Sequence, residues 1–101
     1  MTQAEWEEAV VDCLDDWGLH PDIIEEVRLR MDKGANSGRG LPPDELDFLQ
    51  DRLEEAMDGF CYCVGDLVER ELNLREDPEL KAWKGLLGYL AAKRTVRRQQ
   101  A

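Results

Sequence analysis

Cys13, His20, Cys61 and Cys63 are the only thiol and imidazole groups in the chain, so they bound its metal and nucleophile chemistry. A structural zinc site brings its ligands in close pairs such as C-x2–4-C. On a helix, Cys61-x-Cys63 puts two thiols roughly 200° apart, and both cannot face one ion without unwinding. Cys13-x6-His20 straddles a helix end and is loose for the purpose. No metal site is expected, and Cys13 with one of Cys61 and Cys63 read as small core residues. Three thiols fit a reducing compartment better than a disulfide framework.

Cys13 near His20 is the single nucleophile–base pair worth weighing, and with one histidine no Ser-His-Asp order can be built. General acid–base work needs a carboxylate in a cleft, whereas these carboxylates fall on the polar sides of helices. The glycine segment GANSGRG lacks the Lys-Ser/Thr ending of a phosphate loop and no strand precedes it. The expectation is therefore no catalytic residue, no cofactor and no enzyme.

What the carboxylates offer instead is a field. The chain has 101 residues and a formal charge of −10, laid out unevenly. Residues 1–60 carry a balance of −12, residues 61–79 of −4, and residues 80–101 of +6 from Lys81, Lys84, Lys93, Arg94, Arg97 and Arg98. Such a body repels duplex DNA and attracts basic partners. The carboxylates that recur at helical spacing opposite apolar stripes are Glu8, Asp12, Asp15, Asp16, Glu25, Glu26, Asp47, Asp51, Glu54, Glu55 and Asp58. These are the expected partner-binding residues.

Four helices must position them, since no stretch alternates in the manner of a strand. Thr2 with Glu5 three residues on has capping-box spacing. Trp6, Val10, Cys13, Leu14 and Trp17 then form one apolar stripe, which Gly18 stops. Pro21 suits the first position of a second helix, with Ile23, Ile24, Val27 and Met31 on its inner side, ending at Gly34. Residues 34–43 hold three glycines and two prolines and read as a linker, with Arg39 at its tip. From Asp44 to Leu74 a near-heptad stripe (Leu46, Leu49, Leu53, Met57, Phe60, Val64, Leu67, Leu72) predicts a long third helix. Gly59 and Gly65 mark either a break in it or places where another helix comes close. Asp77-Pro78 caps a last helix whose stripe is Leu80, Trp83, Leu87, Leu90 and Ala91; beyond Ala92 no stripe holds the chain to a core.

The expected architecture is all-α, a small bundle of four helices with antiparallel neighbours, or five if the third breaks. Residues 1–92 form one acidic domain, and 93–101 a basic tail or helix extension. A helix-turn-helix reading fails because Asp22, Glu25 and Glu26 would meet the phosphates. No apolar run reaches the ~18 residues a membrane span needs, and MTQAEWEEAV lacks a signal pattern. A cytoplasmic protein with no membrane contact is expected.

In size, charge and helix content the chain is similar to small phage-encoded inhibitors of bacterial defence nucleases, anti-CRISPR proteins among them, and equally to acidic immunity proteins of nuclease toxins. The resemblance implies an inhibitor that occupies a basic, nucleic-acid-binding surface on a protein or ribonucleoprotein. The inhibitor is expected to be a homodimer, and two other expectations stand beside it. One is a homodimeric structural or adaptor protein built on the third helix and Trp83. The other is a nucleic-acid-associated regulator acting through the basic last helix.

Overall fold

The computed structural model describes residues 1–33 and 47–100, among which there are four α-helices and no strand: α1 (Gln3–Asp16), α2 (Pro21–Lys33), α3 (Phe48–Glu69) and α4 (Pro78–Gln100). The all-α bundle of four helices is thus what forms. The linker read at 34–43, the stop at Gly34, and the starts at Asp44 and Leu46 lie outside the described residues.

Local signals set most helix ends. Thr2 Oγ1 accepts from the Glu5 N–H at 3.1 Å and the Glu5 carboxylate accepts from the Thr2 N–H at 3.4 Å, closing the capping box of α1. At its far end Gly18 takes φ +72°, and the Leu19 N–H reaches back to the Leu14 carbonyl at 3.2 Å. This is a Schellman closure, which satisfies carbonyls that a helix end leaves bare. His20 then starts α2: its Nδ1 accepts from the Asp22 N–H at 3.1 Å. Asp47 caps α3 through the Gln50 N–H at 3.0 Å, and Asp77 caps α4 through the Leu80 N–H at 2.8 Å.

The expected extent of α3 needs correction. It ends at Glu69 rather than Leu74, through the same Schellman closure as α1: Glu71 N–H to Val68 O at 3.1 Å and Leu72 N–H to Leu67 O at 2.9 Å. The residue in the left-handed position is Glu71, at φ +56°. Leu72, counted in the apolar stripe, lies beyond the helix and is exposed.

Nor does α3 break at its glycines. Each admits an indole. A Cβ on Gly59 would lie 2.5 Å from the Trp83 ring, and one on Gly65 would lie 3.1 Å from Trp6 Nε1. Trp6 donates that N–H to the Cys61 carbonyl at 2.7 Å and stacks on Tyr62, with ring centroids 5.8 Å apart. Trp17 meets Phe60 edge-on at 5.6 Å. All three tryptophans therefore pack on α3, around a core of Val10, Leu14, Val27, Leu53, Met57, Phe60, Val64, Leu80, Leu87 and Leu90. Of the near-heptad stripe, Leu53, Met57, Phe60, Val64 and Leu67 are buried inside the chain. Cys61 and Cys63 are both buried, where only one was expected to be, because Cys61 faces Trp6 and α2 while Cys63 faces the start of α4.

The α1–α2 and α3–α4 pairs are antiparallel. Glu7 lies near Arg28 in the first, and Arg97 holds Asp47 while Cys63 meets Asp77 in the second. Between the pairs, α2 and α3 run in the same direction: Glu26 bonds Gln50, and four residues on Arg30 reaches Glu54 and Asp58. Two arginines tie this layer. Arg30 grips Asp58 with two parallel bonds of 2.7 and 2.9 Å and adds Glu54 at 3.1 Å. Arg94, only 3% exposed, grips both Glu26 oxygens at 2.8 Å and the Gln50 carbonyl oxygen at 2.9 Å. Beyond Ala92, then, the last helix does have an anchor, and it is a buried cation; α4 continues without interruption through residues 93–100.

Candidate interaction surface

On α1 the carboxylates Glu5, Glu8, Asp12, Asp15 and Asp16 are all exposed, while Val10 and Leu14 on the opposite side are fully buried. At 100° per residue the five carboxylates fall within about 100° of one another around the helix axis. They span twelve residues, about 16 Å along the axis, so one charge recurs on average about every 4 Å. Residues 1–27 contain nine acids and no Lys or Arg. Among the described residues the only cation on this face is Arg75, 3.5 Å from Asp16 in an open pair. Such exposed pairs are worth about 0–1 kcal/mol and leave the face negative.

The other expected partner-binding residues are placed differently. Glu26 is held by Arg94, Asp47 by Arg97, and Glu54 and Asp58 by Arg30. Arg94 keeps the Glu26 carboxyl below the ordinary range, against the opposing effect of its partial burial. Arg97, with the Gln50 N–H, lowers Asp47 to about 2. Glu25 bonds Arg28 one turn on. Asp51 and Glu55, on the side of α3 away from the core, take no ion-pair partner among the described residues. Of the eleven expected residues, the structure gathers Glu8, Asp12, Asp15 and Asp16 on one open face. Four others are turned to holding the bundle together.

Glu5 belongs with the α1 set. It serves the capping box and also continues the i, i+3, i+7, i+10 spacing of 5, 8, 12 and 15 that the sequence shows. Beside this face, Ala9, Cys13, Trp17 and Leu74 floor an open groove of about 590 Å³ whose rim carries Asp12, Asp16 and Arg75. Lys84 covers the Trp17 ring from 4.3 Å.

The thiols are poorly suited to nucleophilic work, which needs thiolate. Burial pushes Cys61 up to about 12 and Cys63 up to about 11, and burial with Asp12 and Asp16 raises Cys13. His20 and Cys13 do not form a pair, since the His20 Nδ1 is engaged with the Asp22 N–H at the start of α2. Among the described residues no three His, Cys, Asp or Glu side chains converge as metal ligands would.

The basic end also divides. Arg94 and Arg97 are engaged with Glu26 and Asp47, leaving Lys81, Lys84, Lys93 and Arg98 of α4 outside any ion pair among the described residues. The outer side of α4 carries a second apolar stripe that sequence reading missed. Leu86, Tyr89 and Val96 are 41, 62 and 51% exposed and spaced i, i+3, i+10; Tyr89 and Val96 lie opposite the buried Leu80 and Leu87, and Leu86 lies at the margin beside Leu90. The signal was the presence of two apolar stripes on one helix, only one of which a single core can use.

No family model, curated protein or solved structure matches this chain. No helix is long and apolar enough to cross a membrane among the described residues.

Proposed function

We propose that this chain is a non-enzymatic binding protein whose α1 face occupies a basic, nucleic-acid-binding surface on a partner protein or ribonucleoprotein and blocks it. The observation that carries the reading is the row formed by Glu5, Glu8, Asp12, Asp15 and Asp16. Its mean axial spacing of about 4 Å per charge is comparable to the 3.4 Å of axis per phosphate along one nucleic-acid strand. A row of that density presents a groove evolved for phosphate with a comparable linear charge on a rigid rod. Electrostatic steering then speeds the encounter and makes it salt-dependent.

The rod is built for this use. Its inner side is fixed by Trp6, Val10, Leu14 and Trp17, so the carboxylates are held in place without ordering a loop on binding. The remaining acids contribute less, because Arg30, Arg94 and Arg97 already neutralise four of them.

The test compares the wild-type chain with the triple reversal Glu8→Lys, Asp12→Lys, Asp15→Lys as immobilised baits in bacterial lysate at low salt, eluted by a salt gradient. The expected result is a basic partner retained only by the wild type, whose nucleic-acid binding the free protein competes away. A partner that both baits retain equally, or no partner on either, overturns the reading.

A further inference from the structure

Among the described residues the outer face of α4 packs against no other helix, and it has no part in the reading of α1. Its groove of about 460 Å³ is floored by Leu49, Tyr89, Ala92 and Val96, and its polar lining is Lys93, Arg97 and Gln100. Lys93 lies 5.5 Å from the Tyr89 ring centroid, so the one unpaired cation of the groove sits against its largest apolar side chain. After Glu79 the chain contains no acidic residue at all. Further along the same helix, Gly85 and Gly88 have open space where a Cβ would be, unlike Gly59 and Gly65. Each costs the helix up to ~1 kcal/mol with no packing inside this chain to show for it.

Exposed Leu86, Tyr89 and Val96 make a stripe of the a/d kind, which is what one helix presents to another. The charge around it selects among occupants. In a two-fold dimer this patch would face itself, bringing Lys93 and its basic neighbours on α4 against the same cations of the copy. Each copy also carries −10 overall. An acidic helix avoids the first obstacle, because the charged residues lining the groove are cations, Lys93 and the Asp47-paired Arg97.

We propose that the outer face of α4, with Leu49, is a docking site for an amphipathic helix of a second protein, apolar on one side and flanked by Glu or Asp. Aliphatic side chains of that helix fill the groove between Leu49, Tyr89 and Val96, and its carboxylates meet Lys93 and Lys81. None of the residues lining this groove belongs to the α1 row, so a chain engaged through α1 can hold a second partner at the same time. The inference does not depend on the reading of α1.

The experiment uses the ¹⁵N-labelled full chain and an 18-residue synthetic helix with Leu at i, i+3, i+7 and i+10 and Glu beside them. A second peptide replaces every Glu with Lys. The acidic peptide is expected to shift the amides of Leu49, Tyr89, Ala92, Val96 and Gln100, and to bind at least ~10-fold more tightly than the Lys version. Tyr89→Ser and Val96→Ser are each expected to weaken it by about 10-fold with the unfolding temperature kept. The α1 triple reversal should leave it unchanged. Equal binding of the two peptides, or shifts elsewhere on the molecule, overturns the proposal. So does a concentration-dependent dimer that Val96→Glu dissolves, since the occupant is then a second copy. Tighter binding to single-stranded RNA or to anionic vesicles than to the acidic peptide overturns it as well.

Discussion

The indole of Trp83 lies where a side chain on Gly59 would begin, with three ring carbons within 2.7 Å of the Cβ position. A glycine in the middle of a 22-residue helix is therefore the notch that lets α4 lie close on α3. Trp83 is fixed from its other end as well, donating its ring N–H to Glu79 at 3.0 Å.

Gly59→Ala should therefore destabilise the fold, even though alanine is the better helix former by about 1 kcal/mol. Overpacking a tight contact costs about 1–3 kcal/mol, and a rigid indole pinned to Glu79 yields poorly. Gly88→Ala, where nothing lies within 4 Å of the Cβ position, should stabilise by about 0.5–1 kcal/mol. Thermal unfolding of the two variants checks this: opposite signs are expected, with shifts of several degrees each.

Glu71 and Gly18 occupy the same position in the same helix-ending motif, but only glycine takes a left-handed φ without strain. Glu71→Gly should stabilise by about 0.5–1 kcal/mol, the left-handed strain outweighing the extra freedom glycine gives the unfolded chain. Gly18→Ala should cost about 1 kcal/mol through backbone strain alone, since nothing crowds its Cβ position. Urea midpoints moving the same way in both variants would contradict this.

The motif explains an error of five residues in reading α3 from sequence. Gly18, Pro21 and Asp77-Pro78 announce their helix ends by residue type, and those ends were readable. Glu71 announces nothing, because its role is imposed by the turn into α4. The core stripes were readable for the same reason that the roles of Gly59 and Gly65 were not. Periodicity reports which side of a helix is apolar, while a notch is defined by an indole 24 or 59 residues away. Sequence spacing likewise put Glu54 and Asp58 with Asp51 and Glu55. Only the position of Arg30 on a neighbouring helix separates the acids that hold the bundle from those that face outward.

Acid should weaken the fold partly through Asp47. Its carboxyl is lowered from 3.8 to about 2 in the folded chain, chiefly by Arg97. A lowered carboxyl contributes its stability above the unfolded value, and that contribution is lost as pH falls from about 4 through about 2. Asp47→Asn keeps an equally good helix cap and removes this titration. Urea midpoints between pH 5 and pH 2 should fall less steeply in the variant. At neutral pH the two proteins should differ by no more than about 1 kcal/mol, as fits an exposed pair.

Thiol accessibility should separate the cysteines. Cys13 is half-buried, whereas Cys61 and Cys63 are 4 and 6% exposed with thiols raised to about 12 and about 11. A thiol-specific reagent at pH 8 should modify Cys13 slowly in the native protein, and all three only in denaturant. Rapid native modification of Cys61 would show that the Trp6–Cys61 contact opens readily.

The buried Arg94 also bears on how the chain is made. A ribosome adding ~5–20 residues per second takes about 1–4 s to append residues 80–101. Until then residues 1–79 carry −16 with no excess of cations to offset it. Glu26 waits for a counter-ion encoded 68 residues later. α4 is therefore the helix that offsets part of the bundle's charge and locks α2 against α3. A chain that stops before Arg94 lacks that keystone and leaves the half-buried Glu26 carboxylate without its cation.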